Sequence, residues 1–137
     1  MEDRLNPSQI GNIIALKCQI FLIEHGWNVL VPVGNYLKYD LVIEKGGRFY
    51  RIQCKHATGN NECFIVRTKY EVRDKGKVRK ESYTKNDCDY FMTEYEGTFY
   101  IFPIWGTTET KFWMHDVRLA SCKLAKDYVA EHMLSSL

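Results

Sequence analysis

The stretch that decides the fold is Tyr39-Asp40-Leu41-Val42-Ile43, followed across a Gly46-Gly47 turn by Tyr50-Arg51-Ile52-Gln53-Cys54-Lys55. Two short runs rich in β-branched and aromatic residues, joined through adjacent glycines, predict a β-hairpin with strands over residues 39–44 and 48–56. Side chains alternate along a strand, so Leu41 and Ile43 share one face while Asp40 and Val42 share the other. On the second strand Ile52 and Cys54 point into the core, and Arg51, Gln53 and Lys55 point the opposite way. If the hairpin twists so that Asp40 lies beside Gln53, a carboxylate, an amide oxygen and an ammonium converge on one patch. A plain core hairpin would place apolar groups there.

That trio can build a metal-dependent hydrolytic site. Magnesium is a hard cation that takes oxygen ligands and keeps several waters, so a carboxylate from Asp40, the amide oxygen of Gln53, the main-chain carbonyl of Cys54 and a substrate phosphate suffice to hold it. Lys55 would hold or help deprotonate the attacking water and offset charge in the transition state. An Asp–Lys pair across two strands is also common surface decoration, and the pattern by itself leaves that reading open.

Outward from the hairpin, Asn6-Pro7-Ser8 reads as a helix start, with Pro tolerated in the first turn and Asn or Ser as a cap. The helix runs to about His25 and stops at Gly26. Ile10, Ile13, Ile14, Leu16, Ile20, Phe21, Leu22 and Ile23 cover more than one stripe, which predicts burial on much of its surface, with Lys17 and Glu24 toward solvent. Residues 27–31 alternate and end at Pro32, a further strand. Residues 63–67 form another. Residues 69–85 are polar and charge-dense, which reads as a loop or extended arm. Glu96-Gly97 joins strands at 90–95 and 98–102, a last strand lies near 111–114, and a helix closes the chain from about Ser121 to Leu134.

At 137 residues the chain fits one compact domain spanning residues 1–137, long enough to bury a core without disulfides. Its 45% hydrophobic and 14% aromatic content argues against disorder, and no apolar run approaches the ~18 residues that cross a bilayer. Met1-Glu2-Asp3-Arg4 lacks the features of a secretory signal, so a cytoplasmic, intracellular protein with no membrane association is expected. The five cysteines contain no Cys-x-x-Cys pair and read as small buried hydrophobes. His25, His115 and His132 offer no metal spacing. The net charge of +2 is too small to name a partner, so the distribution of charge has to.

The order helix, Gly-Trp strand, Tyr-Asp-Leu-Val strand and Arg-Ile-Gln-Cys-Lys strand resembles the PD-(D/E)XK nuclease superfamily. Within it the chain is most similar to the group I intron homing endonucleases of this fold, through Val31-Pro32-Val33-Gly34, Tyr39-Asp40-Leu41 and Gln53, and it is also similar to archaeal Holliday-junction resolvases. The likeness covers roughly residues 8–56, and more loosely 86–104 through Asp89-Tyr90-Phe91 and Tyr100-Ile101-Phe102-Pro103. The resemblance implies an α/β, restriction-endonuclease-like mixed central sheet flanked by helices. It implies Asp40 as the central metal ligand, Gln53 as a ligand in place of the usual second acid, Lys55 as the catalytic lysine and Mg2+ as the cofactor.

The superfamily often adds a Glu on the first helix, four residues after a Gly; here Gly11 is followed at that place by Ala15. Glu24 lies nine residues further along, on the opposite side of the helix and roughly 13 Å away, and cannot substitute. Ser8, Gly11, Asn12 and Gln19 give the face around Ala15 a small and polar character. With Ala15 both metal affinity and rate should fall. Either a Glu has been replaced to hold DNA uncut or activity has been lost naturally, and the intact remainder of the constellation favours the first.

Basic groups outline the DNA surface that the resemblance implies. Lys69, Arg73, Lys75, Lys77, Arg79 and Lys80 lie in the charge-dense arm, diluted by Glu71, Asp74 and Glu81, with Tyr70 and Tyr83 at its margins. Lys38, Arg51, His56 and Arg67 extend the positive surface. The expected activity is a homing-type endonuclease hydrolysing double-stranded DNA, with a junction resolvase or a catalytically silent DNA-binding fold as alternatives. Cutting both strands with one centre per subunit calls for a homodimer or a tetramer built from dimers.

Overall fold

The computed structural model describes residues 4–115 and 122–137. Helix α1 (Pro7–Glu24) begins with a reciprocal cap. Asn6 Oδ1 accepts from the Gln9 N–H at 2.9 Å, and Gln9 Oε1 accepts from the Asn6 N–H at 2.8 Å. The helix ends where Gly26 adopts a φ of +85°, and its chain turns directly into the edge strand β1 (Asn28–Leu30).

The predicted hairpin is present as β2 (Leu41–Lys45) and β3 (Arg48–Cys54), paired antiparallel with Leu41 opposite Ile52. Strands β8 (Tyr90–Tyr95) and β9 (Thr98–Pro103) complete a five-stranded mixed sheet of order β1-β2-β3-β8-β9, in which only β3 and β8 run parallel. A second sheet, β11-β10-β5-β4, unites β4 (Ala57–Gly59), β5 (Cys63–Arg67), β10 (Glu109–Trp113) and β11 (Lys123–Leu124).

Burial explains the layering. On one face of the large sheet, Ile14, Cys18 and Leu22 of α1 pack against Leu41, Ile43, Ile52, Met92 and Ile101, closed by Ala130 and Leu134. On the other face Phe91, Tyr100 and Phe102 meet Phe64, Val66 and Phe112 of the second sheet in a stack of rings. The large sheet is thus covered on both sides, which is why β8 and β9 read as nearly continuous apolar runs.

Three expectations need correction. Residues 69–85 are an extended arm rather than a loop, built as a two-stranded hairpin, β6 (Lys69–Asp74) and β7 (Lys77–Ser82), turning at Lys75 and Gly76, whose φ values are +49° and +76°. Its pairing needs no core, so a low apolar count did not reveal it. The expected closing helix is short: Lys123–Leu124 pairs parallel with β10, a 3-10 turn covers Ala125–Tyr128, and α2 is only Ala130–Ser135. Its expected start at Ser121 lies outside the described residues. Finally, α1 is not buried on most of its surface: Ile13, Leu16, Ile20 and Ile23 are exposed, opposite the buried Ile14, Cys18 and Leu22.

Candidate active site

Asp40 sits one residue ahead of β2 and Lys55 one residue beyond β3, at the same end of the hairpin. The strand register continues through them: the Asp40 N–H donates to the Ile52 carbonyl at 2.9 Å, which brings Asp40 opposite Gln53. The Asp40 carboxylate is then pinned by the Cys54 N–H, which donates to Oδ2 at 2.9 Å. The Lys55 N–H in turn donates to the Met92 carbonyl of β8 at 2.9 Å, so the parallel neighbour fixes the chain just past the strand. Leu41, Ile43 and Ile52 are fully buried on the reverse face, and a one-residue slip would drive Asp40 into that core.

Environment shifts the two charged groups in opposite directions. Burial lifts the Asp40 carboxyl above its ordinary range, while the Cys54 N–H and the charge of Lys55 pull it partly back. Burial lowers the Lys55 ammonium, with Asp40 and then Cys88 opposing. Each is costly to hold charged, and each is a partner for the other. Opposite Asp40, the Gln53 Oε1 is buried and has no hydrogen-bond partner among the described residues. A buried amide oxygen left unpaired costs about 1–3 kcal/mol, and a cation at this place would satisfy it. No three His, Cys, Asp or Glu side chains cluster to hold a metal among the described residues. An ion here would therefore rest on Asp40, Gln53 and the Cys54 carbonyl, a set of oxygen donors that fits a hard divalent cation.

Lys55 is also held from the far side. Its Nζ donates to the Lys69 carbonyl at 3.4 Å and lies 4.9 Å from the centre of the Tyr83 ring. Tyr83 is 5% exposed and packs edge-on against Tyr70 and Phe91, and burial raises its hydroxyl pKa. Lys69 opens β6 and Tyr83 follows β7, so the base of the arm closes over the lysine. This contact was missed from sequence, because a stretch read as a loop gave Tyr83 no fixed place.

The remaining candidates fall into separate groups. Lys55, His56, Arg67 and Lys69 line a groove of about 700 Å³ that also takes in Pro7 and Glu71. The register of the arm puts Lys69, Glu71, Arg73, Val78 and Lys80 on one face, and Tyr70, Val72, Asp74, Lys77, Arg79 and Glu81 on the other. On the first face Lys69, Lys80 and Arg67 crowd together: the Lys69 ammonium is lowered chiefly by its close approach to Lys80, then by desolvation and the charges of Lys80 and Arg67. On the second, Arg79 is held by Glu81 at 2.7 Å and Asp74 at 3.7 Å. Lys75 lies at the turn, away from the groove.

Lys38 and Arg51 are engaged within the chain. Lys38 Nζ donates to the Tyr70 hydroxyl at 2.9 Å and lies 3.5 Å from Asp87, stitching the approach to Asp40 onto the arm. Arg51 is wrapped around Asp89 and the carbonyls of Lys85 and Asn86, with both guanidinium termini at 2.8 Å from those carbonyls. Its donors hold the segment that enters β8. Ala15 is half-buried against the core that contains Leu41 and Cys54.

Comparison with known proteins agrees with this geometry. The profile described as PD-(D/E)XK endonuclease matches residues 5–128. No curated protein matches the sequence. Among solved structures, the chain is similar to the bacterial homing endonuclease I-Ssp6803I, with a TM-score of 0.78 and 23% identity over 96% of this chain and 93% of that one. The mixed α/β architecture is accordingly the restriction-endonuclease-like one. A match that spans the hairpin, the arm and both sheets makes this chain a member of the PD-(D/E)XK endonuclease family.

Proposed function

We propose that the chain is a homing-type endonuclease that hydrolyses phosphodiester bonds of double-stranded DNA, using Mg2+ held by Asp40, Gln53 and the Cys54 carbonyl. The observation that carries this reading is the unpartnered Gln53 Oε1, buried opposite Asp40. The homing type is suggested by the likeness to I-Ssp6803I, which is described as a bacterial homing endonuclease.

A bound divalent cation would supply a Lewis acid for the scissile phosphate. The chain's own groups do the rest. Asp40, fixed by the Cys54 N–H, must be ionised to serve, and the nearby Lys55 charge favours that form. Lys55 orients the attacking water and stabilises negative charge as it develops; because burial makes its proton easier to lose, it is also suited to accept one. The cluster of Lys69, Lys80 and Arg67 outnumbers its neighbouring anions Glu71 and Glu109, which suits it to DNA phosphates. Two subunits, each with one such centre, would cut the two strands.

Ala15 favours a weakened form of this chemistry, since the first helix contributes no carboxylate at that place. The test is a titration with Mn2+, read by paramagnetic broadening of backbone amides. Broadening centred on residues 40 and 53–55, removed by Asp40→Asn and weakened by Gln53→Met, is the expected result. Broadening that ignores both substitutions would place the ion elsewhere and overturn the assignment.

A further inference from the structure

Helix α1 presents two opposite faces, and among the described residues only one is packed into the core. Ile14, Cys18 and Leu22 are at most 5% exposed, whereas Ile13, Leu16, Ile20 and Ile23 are 37%, 57%, 58% and 60% exposed. The four exposed residues are spaced 3-4-3, the spacing of an a/d seam that keeps one narrow stripe facing a partner helix. Together they offer on the order of 400 Å² of apolar surface, about half of what each partner contributes to a standard interface and the size of the largest, often functional, patch on a monomer.

The spacing identifies the partner. Read backwards, 3-4-3 is unchanged, so a second α1 laid antiparallel sets Ile13 against Ile23 and Leu16 against Ile20, and the same pairs recur on both sides of a two-fold axis level with Cys18. Beside the stripe lies a groove of about 290 Å³ bounded by Ile20, Phe21 and Phe99, with Lys17, Glu24 and Glu94 at its rim. It can receive the partner's apolar side chains. The rim does not repel a copy of itself, because Lys17 is already 3.9 Å from Glu94 and both signs of charge are present. The stripe also projects away from the Asp40 side of the sheet, since the opposite face of α1 packs on Leu41, Ile43 and Ile52.

We infer that the exposed face of α1 is a self-association surface, on which a second copy of this chain docks through an antiparallel pairing of Ile13, Leu16, Ile20 and Ile23. The inference rests on the two-subunit reading above and gives it a surface, but its test needs neither DNA nor catalysis. The full chain is measured by sedimentation velocity and light scattering at micromolar concentration, alongside Leu16→Glu and Ile20→Lys. The expected result is a dimer or tetramer for the parent, and a step down to monomer or dimer for each variant. Because both side chains face solvent in the single chain, circular dichroism and melting of the subunit should persist. A monomeric parent, or variants whose assembly equals the parent's, would overturn the inference. Disulfide capture fixes the direction: Ile13→Cys should cross-link to Ile23→Cys in a mixture, and capture of Ile13→Cys only by itself would contradict the antiparallel pairing. Failure here leaves the Mn2+ result untouched, so the two readings fail separately.

Discussion

The hairpins β2–β3 and β6–β7 are built alike and placed differently. Each turns through two residues of positive φ, Gly46-Gly47 in one and Lys75-Gly76 in the other. In the first, Leu41, Ile43, Ile52 and Cys54 are buried against α1 and the neighbouring strands. In the second, no residue of either strand is buried. Burial fixes register, so the first hairpin can hold Asp40 on the Cys54 N–H and opposite Gln53. Exposure leaves the second free to carry charge outward, which is what contact with a polyanion needs. Lys55 is where the two meet, anchored by the Met92 carbonyl of the rigid sheet and capped by Lys69 and Tyr83 at the base of the arm.

The comparison breaks most severely if the buried hairpin can be altered without loss. In the Ala15→Glu form, Lys55→Ala and Asp40→Asn should each lower the single-turnover cleavage rate by about 10³-fold or more, with DNA affinity changed far less. Asp40→Asn should at the same time raise the melting temperature at neutral pH by a few degrees. The sign follows from the raised carboxyl: folding favours its protonated form, so the stability it adds is present at acid pH and lost as pH rises through that raised value. The amide never acquires the charge.

The junction between the hairpins is the next place to press. Tyr83→Leu removes the ring beneath the Lys55 ammonium and should cut the rate about tenfold, while Tyr83→Phe keeps the ring and should stay near the parent. Equal loss in both would shift the role from the ring to the hydroxyl. A smaller effect separates the two faces of the arm. Neutralising Lys69, Arg73 and Lys80 should weaken DNA binding and reduce the salt slope by about 0.9 per residue, whereas Arg79→Gln, already paired with Glu81 and Asp74, should change it little. The smallest change expected is in stability. Replacing residues 73–78 with a two-residue turn should move the melting temperature by no more than about 2 °C, because that tip buries nothing.

What the sequence disclosed follows the same division. The hairpin 41–54 and the placing of Asp40, Gln53 and Lys55 at one end of it were legible because two-residue alternation and a glycine turn specify both pairing and face. The α1 boundaries were legible through Asn6, Pro7 and Gly26. The arm was not, since pairing between two exposed strands leaves little apolar pattern, although Asp74-Lys75-Gly76-Lys77 carried the turn signal. The partners of Arg51 and Lys38 were also hidden. Asp89 and Tyr70 lie 38 and 32 residues away, and only the folded chain brings them together. The exposed stripe of α1 was misread as core because a count of apolar residues does not separate an inward face from an outward one.

The proposed metal-dependent nuclease centre of Asp40, Gln53 and Lys55 has its weak point at Ala15. Its most direct test is recovery of cleaved ends from a random double-stranded DNA library in Mg2+, using the chain as it stands, Ala15→Glu, and Ala15→Glu combined with Lys55→Ala. The account predicts slow or undetectable cutting by the first and much faster cutting at a defined target by the second. It predicts none by the third, and none by any form in EDTA. Equal rates with and without the added glutamate, or cutting that survives the loss of Lys55, would contradict it.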